Sequence, residues 1–224
     1  ALKHVGKNYT RNDAVEKTTG SAKFVADLKF TGMLHAKVLR SPYAHAIIKN
    51  IDTTEALKVP GVFAVLTGKD VPGPFGVAIA DQYPLAKDKA RYAGEPVAAV
   101  VAVSERVAHE ALKLIKVEYE PLPFVINPKD AVEEGAPILH EDLMNYRIAP
   151  FVHPQGKNIY QHFKVRKGDI VEAFQKADLI VEAETWYPYI HHVQLEPHCA
   201  VAQYNLDGTM TMYSTTQAPF VVQG

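Results

Sequence analysis

Apolar and polar positions alternate most cleanly near the end of the chain. Ala200, Ala202 and Tyr204 alternate with Val201 and Gln203, and Met210, Met212 and Ser214 alternate with Thr211 and Tyr213. A period of two gives a segment two distinct faces, so β-strands are predicted over 199–204 and 209–215. Leu206-Asp207-Gly208-Thr209 supplies the turn between them. Asp-Gly suits a two-residue hairpin, in which both central residues need positive φ. The second strand runs into Ser214-Thr215-Thr216-Gln217, and Pro219 suits the first turn of a following helix. A strand end that delivers a polar side chain at a helix start is a common place for a binding residue, which makes Gln217 a candidate.

The earlier chain alternates less regularly but is well punctuated. Residues 1–14 are polar and unpatterned and read as an arm. A short extended piece is predicted at 24–27, and strands at 33–40, 46–52 and 62–67. Thr53 or Thr54 is placed to cap a short helix at 55–57. Residues 68–90 carry Gly, Pro, Asp and Lys with little periodicity and read as a long surface loop. The most apolar run, 96–103, is short and rich in valine, as a buried strand would be. Ser104 then caps a helix that places Val107, Ala108, Ala111, Leu112 and Ile115 on one face. A strand at 116–120 follows, so strand, helix and strand predict one crossover unit on a sheet. Residues 127–157 contain Pro128, Pro137, Pro150 and Pro154 and read as an ordered linker. A second unit is predicted from Asn158: a strand at 159–165, a helix opening at Gly168-Asp169, a strand at 179–187, and the hairpin.

Bulk properties narrow the class. A chain of 224 residues can bury a core as one large or two small domains. The net charge of −1 gives no basic footprint for nucleic acid. No apolar run approaches the ~20 residues that span a bilayer, and the first residues lack the apolar core of a signal peptide. One cysteine cannot close an internal disulfide. That fits a reducing compartment, with the cytoplasm as the default.

Candidate chemistry is sparse. His191, His192, His198 and Cys199 are ligand types, but their spacing does not match a zinc pattern. Adjacent histidines in an extended segment point to opposite faces. Cys199 and His198 fail as a nucleophile pair for the same reason, which leaves a buried inert thiol. Glu182 and Glu184 share a predicted strand face and read as solvated. Glu196, before Pro197, reads as a partly buried structural hydrogen-bonder rather than an acid–base group. Lys69-Asp70 and Lys87-Asp88-Lys89 read as solvated loop charges. No phosphate loop, GxGxxG or CxxC run is present. Pattern alone therefore describes a soluble α+β chain of two units with no complete catalytic set.

The order of segments adds to this. Val15-Glu16-Lys17-Thr18-Thr19-Gly20-Ser21-Ala22, Gly32-Met33-Leu34-His35-Ala36 and Arg40-Ser41-Pro42-Tyr43-Ala44-His45-Ala46 resemble the start of the large subunit of molybdenum hydroxylases, the xanthine dehydrogenase and aldehyde oxidase family. So do Gly94-Glu95-Pro96-Val97-Ala98-Ala99-Val100, Val117-Glu118-Tyr119-Glu120-Pro121-Leu122-Pro123, Glu196-Pro197-His198-Cys199-Ala200-Val201-Ala202 and Ser214-Thr215-Thr216-Gln217. Each motif is weak alone; their shared order along nearly the whole chain is specific.

The resemblance implies an arm at 1–14, an α/β hammerhead domain at 15–126, a linker at 127–157, and at 158–224 the first, incomplete part of a molybdopterin-binding α+β domain. It implies hydroxylation of an aldehyde or N-heterocycle (purine-type) carbon with oxygen from water, at a molybdenum-pterin cofactor. A metal centre of this kind lowers the pKa of a bound oxygen ligand, and a carboxylate removes the proton. Gln217 matches the family glutamine beside the oxo ligand; its amide donates without adding charge. The family's catalytic glutamate has no counterpart in these residues, so no catalytic residue and no metal ligand is assigned, and inactivity alone is expected. Implied partners are the remainder of the large subunit or a second molybdopterin-binding chain, an iron–sulfur subunit with 2Fe-2S clusters, and a flavin subunit with FAD. The alternative is a non-catalytic assembly module of such a complex.

Overall fold

The computed structural model describes residues 3–223. The chain forms two compact units, Gly32–Ile180, and Ala1–Thr31 together with Val181–Gly224. The N-terminal part of the latter carries helix α1 (Ala14–Thr19). The extended piece predicted at 24–27 is instead a 3-10 turn, Val25–Asp27. Local hydrogen bonding decides this: the Phe24 amide donates to the Asp27 carboxylate at 3.0 Å, and the Asp27 amide donates to the Phe24 carbonyl at 3.0 Å.

The larger unit contains strands β1 (His35–Arg40), β2 (Ala46–Asp52), β3 (Val62–Thr67), β4 (Lys89–Ala90), β5 (Pro96–Ala102) and β6 (Lys116–Pro121). They form two antiparallel sheets, ordered β1-β5-β3 and β4-β2-β6. The valine-rich run becomes the central strand β5, where Val97, Ala98, Val100 and Ala102 are fully buried. Burial of each such valine contributes about 1.5 kcal/mol or more. Helix α2 (Thr54–Leu57) and helix α3 (Glu105–Leu112) cover the first sheet. Ala56, Val107, Ala108, Ala111, Leu112 and Ile115 complete that core with Ala98, Val100 and Ala102. Ser104 caps α3 as predicted, its hydroxyl accepting from the Val107 amide at 3.3 Å. Neither Thr53 nor Thr54 caps α2; the Asp52 carboxylate takes the Thr54 amide at 3.0 Å.

The crossover expectation is corrected. Both edges of β5 are occupied by β1 and β3, so the strand after α3 cannot pair with β5. β6 pairs with β2 instead, with Ile47 opposite Glu120 and Ile51 opposite Val117. The predicted surface loop is in part internal: Ile79, Ala80, Leu85, Ala86 and Ala90 are buried. Its partner is the proline-rich stretch that follows β6. The Ala80 amide donates to the Arg147 carbonyl and the Ala149 amide to the Ala78 carbonyl, both at 2.9 Å. Ile79, Leu143 and Val152 form a small core between these stretches. Helix α4 (Pro128–Ala131) is capped by Asn127, and the Asn158 amide donates to the carbonyls of Ala131 and Pro137, each at 2.9 Å. Two segments without periodicity thus satisfy one another's backbone groups.

Helix α5 (Ile170–Lys176) begins where predicted, with Asp169 accepting from the Glu172 amide at 3.0 Å. The strand predicted at 159–165 does not form; among the described residues that stretch makes an isolated bridge between Gly156 and Ile159. In the other unit no strand forms at 181–187 either, and Val181, Trp186 and Tyr187 are exposed. An apolar run becomes a strand only when a neighbour completes its ladder.

The hairpin is present as β7 (Ala200–Tyr204) and β8 (Met210–Ser214), followed by helix α6 (Pro219–Gln223). Ala202 lies opposite Met212 and Gln203 opposite Thr211. Its turn differs from the prediction. The Asn205 amide donates to the Thr209 carbonyl at 2.9 Å and the Gly208 amide to the Asn205 carbonyl at 3.0 Å, leaving a three-residue loop. Gly208 takes the left-handed conformation at φ 85, and Asp207 does not share it. Asp207 is used differently, accepting from the Thr209 amide at 3.0 Å and hydroxyl at 2.7 Å. The Phe30 ring packs 5.8 Å from that of Tyr213, covering one hairpin face.

Candidate functional site

The end of β8 sets the site. Thr215 clasps the hairpin exit: its hydroxyl accepts from the Cys199 amide at 3.0 Å, and its own amide donates to the Cys199 carbonyl at 3.0 Å. Thr216 follows with its hydroxyl accepting from the Ala218 amide at 3.0 Å. This local bond turns the backbone at Gln217 immediately before Pro219 opens α6. Gln217 is exposed at the bend, and its amide has no hydrogen-bond partner among the described residues.

Gln217 lines an open cleft of about 570 Å³ with His191, His192, Gln194, Glu196, His198, Thr215 and Thr216. The cleft lies wholly within the hairpin unit. Val193 holds a left-handed backbone at φ 48, which is unusual for a β-branched residue. Its amide donates to Nδ1 of His191 at 3.0 Å. That acceptance leaves the proton of a neutral His191 on Nε2. Nε2 of His198 sits 2.8 Å from the side-chain amide nitrogen of Gln194. The Glu196 carboxylate is half-buried and accepts from the Val25 amide at 3.3 Å, in agreement with its reading as a structural hydrogen-bonder.

The other candidates disperse. Cys199 is half-buried rather than fully buried, and it does not line the cleft. Glu182 and Glu184 are exposed on a segment that is not a strand. Among the described residues no three His, Cys, Asp or Glu side chains converge as a metal-ligand set. Sequence reasoning missed His191 and Gln194 as neighbours of Gln217, because an irregular segment with a left-handed valine has no periodicity to read. The Thr215–Cys199 clasp was also missed, although a threonine just past a strand end is a known signal for such a bond.

Comparison with known proteins agrees with this architecture. Residues 19–123 match the family model described as "aldehyde oxidase and xanthine dehydrogenase, a/b hammerhead domain", and residues 152–224 match that of the molybdopterin cofactor-binding domain. Fold and site thus define a class: the hammerhead domain joined to the start of a molybdopterin-binding domain. A probable xanthine dehydrogenase subunit of Bacillus subtilis is 41% identical over 209 residues, covering 92% of this chain and 26% of that protein. The nicotinate dehydrogenase large molybdopterin subunit of Eubacterium barkeri is 35% identical over 222 residues, covering 98% and 49%. The solved structure of reconstituted CO dehydrogenase from Oligotropha carboxidovorans superposes with a TM-score of 0.82 at 34% identity, over 97% of this chain and 28% of that one. The chain belongs to the aldehyde oxidase and xanthine dehydrogenase family. It spans between about a quarter and a half of the length of these relatives. No helix among the described residues is long and apolar enough to cross a membrane.

Proposed function

We propose that this chain is a component of a molybdenum-dependent hydroxylase, forming one wall of the cofactor site with Gln217. The observation that carries this is Gln217 itself. A neutral amide without a partner among the described residues stands in a cleft, on a chain whose residues 152–224 match a molybdopterin-binding domain. The residues fit the group. An amide N–H donor satisfies an oxygen ligand without competing for the metal, and the neighbouring imidazole and amide groups offer further donors. When bound, the molybdenum-pterin cofactor supplies two-electron oxidation with oxygen from water at an aldehyde or N-heterocycle carbon. Gln217 donates from its Nε2, Thr216 holds the backbone bend that presents it, and the Val193–His191 bond orients one imidazole along the same cleft.

The remaining assignments belong to this reading. The hammerhead domain runs from 15 to 126, a linker from 127 to 157, and the cofactor-binding part from 158. The carboxylate that removes a proton comes from outside these residues, so turnover needs the remainder of the large subunit or a second chain. Partner subunits carrying 2Fe-2S clusters and FAD would supply the electron outlet, with the cytoplasm as the expected compartment.

The test is Gln217→Ala in the complete complex. Loss of one hydrogen bond to a charged centre costs about 1.5–3 kcal/mol, so kcat is expected to fall by roughly 10- to 100-fold with molybdenum content unchanged. An unaltered kcat together with an unaltered molybdenum EPR spectrum would remove Gln217 from the site.

A further inference from the structure

A second cleft, of about 460 Å³, lies in the larger unit and takes no part in the function proposed above. Its polar lining is Arg91, Asp81, Gln82, Glu95 and His140, and its aromatic lining is Phe75, Tyr83 and Tyr92. Arg91 is the unusual member. One terminal guanidinium nitrogen donates to the Lys89 carbonyl at 3.2 Å, whereas Nε is buried with no acceptor. The guanidinium makes no ion pair among the described residues, although its charge acts on the carboxylates of Glu95 and Glu141. The guanidinium carbon stands 5.9 Å from the centre of the Tyr83 ring. Glu95, only 5% exposed, fixes the turn between β4 and β5 by accepting from the Arg91 backbone amide at 2.5 Å, not from the side chain.

The neighbouring charges define what this cation can receive. Lys89 is committed to both Glu141 oxygens, at 2.6 and 2.5 Å, and offers no second anion contact. His140 is held toward its neutral form, by burial first and by the Arg91 charge second. Asp81 places a negative charge on the same lining, beside the buried carboxyl of Glu95, and together they oppose a dianion. Arg91 is therefore the one cation available to a ligand among the described residues of the cleft. A guanidinium fork matches a carboxylate, and phenol rings beside it accept a flat apolar body. A volume of this size holds a small molecule.

We propose that this cleft is a second binding site, for a small aromatic monocarboxylate whose carboxylate pairs with Arg91 and whose ring packs against Tyr83 and Tyr92.

Benzoate is the probe, titrated calorimetrically into the complete complex. Saturable binding of one benzoate per chain is expected, with acetate much weaker and inorganic phosphate unable to compete. Arg91→Gln removes a charge-assisted pair and weakens benzoate binding by about tenfold or more. Asp81→Asn removes the opposing charge and tightens it, so the proposal stays testable if Arg91→Gln misfolds. Gln217→Ala leaves benzoate affinity unchanged, which separates this site from the cofactor cleft. Absence of saturable binding, affinity indifferent to both Arg91→Gln and Asp81→Asn, or loss with Gln217→Ala would overturn the proposal. Equal competition by phosphate would overturn the monocarboxylate assignment.

Discussion

Helices α3 and α5 have the same local instructions and opposite fates. Each opens on an extended residue whose side chain accepts from an amide three positions on, Ser104 from Val107 and Asp169 from Glu172. Each carries apolar residues at helical spacing. In α3 those residues are buried, with Val107 and Leu112 at 8% exposure and Ala108 and Ala111 at 0%. In α5, Ile170, Val171 and Phe174 are exposed at 69%, 64% and 56%. The difference is the surface available. α3 lies on a sheet whose central strand is already complete, whereas α5 follows a stretch that has no strand of its own. Helix formation is a local decision; burial depends on a distant partner.

The sharpest way to break this comparison is one charge in each place. Val100→Asp, in the core beneath α3, is expected to destabilise the larger unit by roughly 4 kcal/mol or more through an unpaired buried carboxylate. Val171→Asp is expected to change stability by about 0.5 kcal/mol or less, as at other surface positions. Urea unfolding of both variants decides it, and equal losses would mean that α5 is buried in solution.

The caps give a smaller contrast. Ser104→Ala should lower global stability by about 1 kcal/mol, because α3 is integral to the core. Asp169→Ala loses the same kind of bond, but its effect should be confined to faster amide exchange within α5. Global destabilisation by Asp169→Ala would show that α5 folds cooperatively with the sheets.

The smallest expected effect is a pH slope from Glu95. Burial raises its pKa above the ordinary 4.5, outweighing the Arg91 and Tyr92 amide bonds and the Arg91 charge, which lower it. The folded state then binds the proton more tightly than the unfolded chain. Stability from this group is fully present below pH 4.5 and is lost as pH rises through the raised value. Glu95→Gln keeps an acceptor for the Arg91 amide and removes the titration. Its unfolding midpoint should therefore vary less as pH rises above 4.5 than that of the wild type. Identical profiles would mean that Glu95 does not titrate in this window.

The sequence by itself determined the hairpin, the capped helices α3 and α5, the buried strand β5 and the position of Gln217 at a strand end. The hairpin, the two helices and the exit at Gln217 depend on contacts within a few residues, so alternation, helical spacing and capping residues are sufficient signals; β5 was legible only as the most apolar run, and its partners β1 and β3 are distant in the chain. It also carried the family, through motifs kept in order. Only the tertiary structure decided that β6 joins β2 rather than β5, because edge occupancy is a property of the assembled sheet. The same holds for the stretches around Ile79 and Ile148, whose backbone groups find partners in each other and not along the chain. It holds for 159–165, where apolar residues lack a ladder and remain unpaired as a strand. The cleft around Gln217 divides the same way. Gln217 was legible because a strand and a helix start flank it. Its neighbours His191 and Gln194 were not, because a left-handed valine and an irregular backbone bring them there, and no periodicity encodes that.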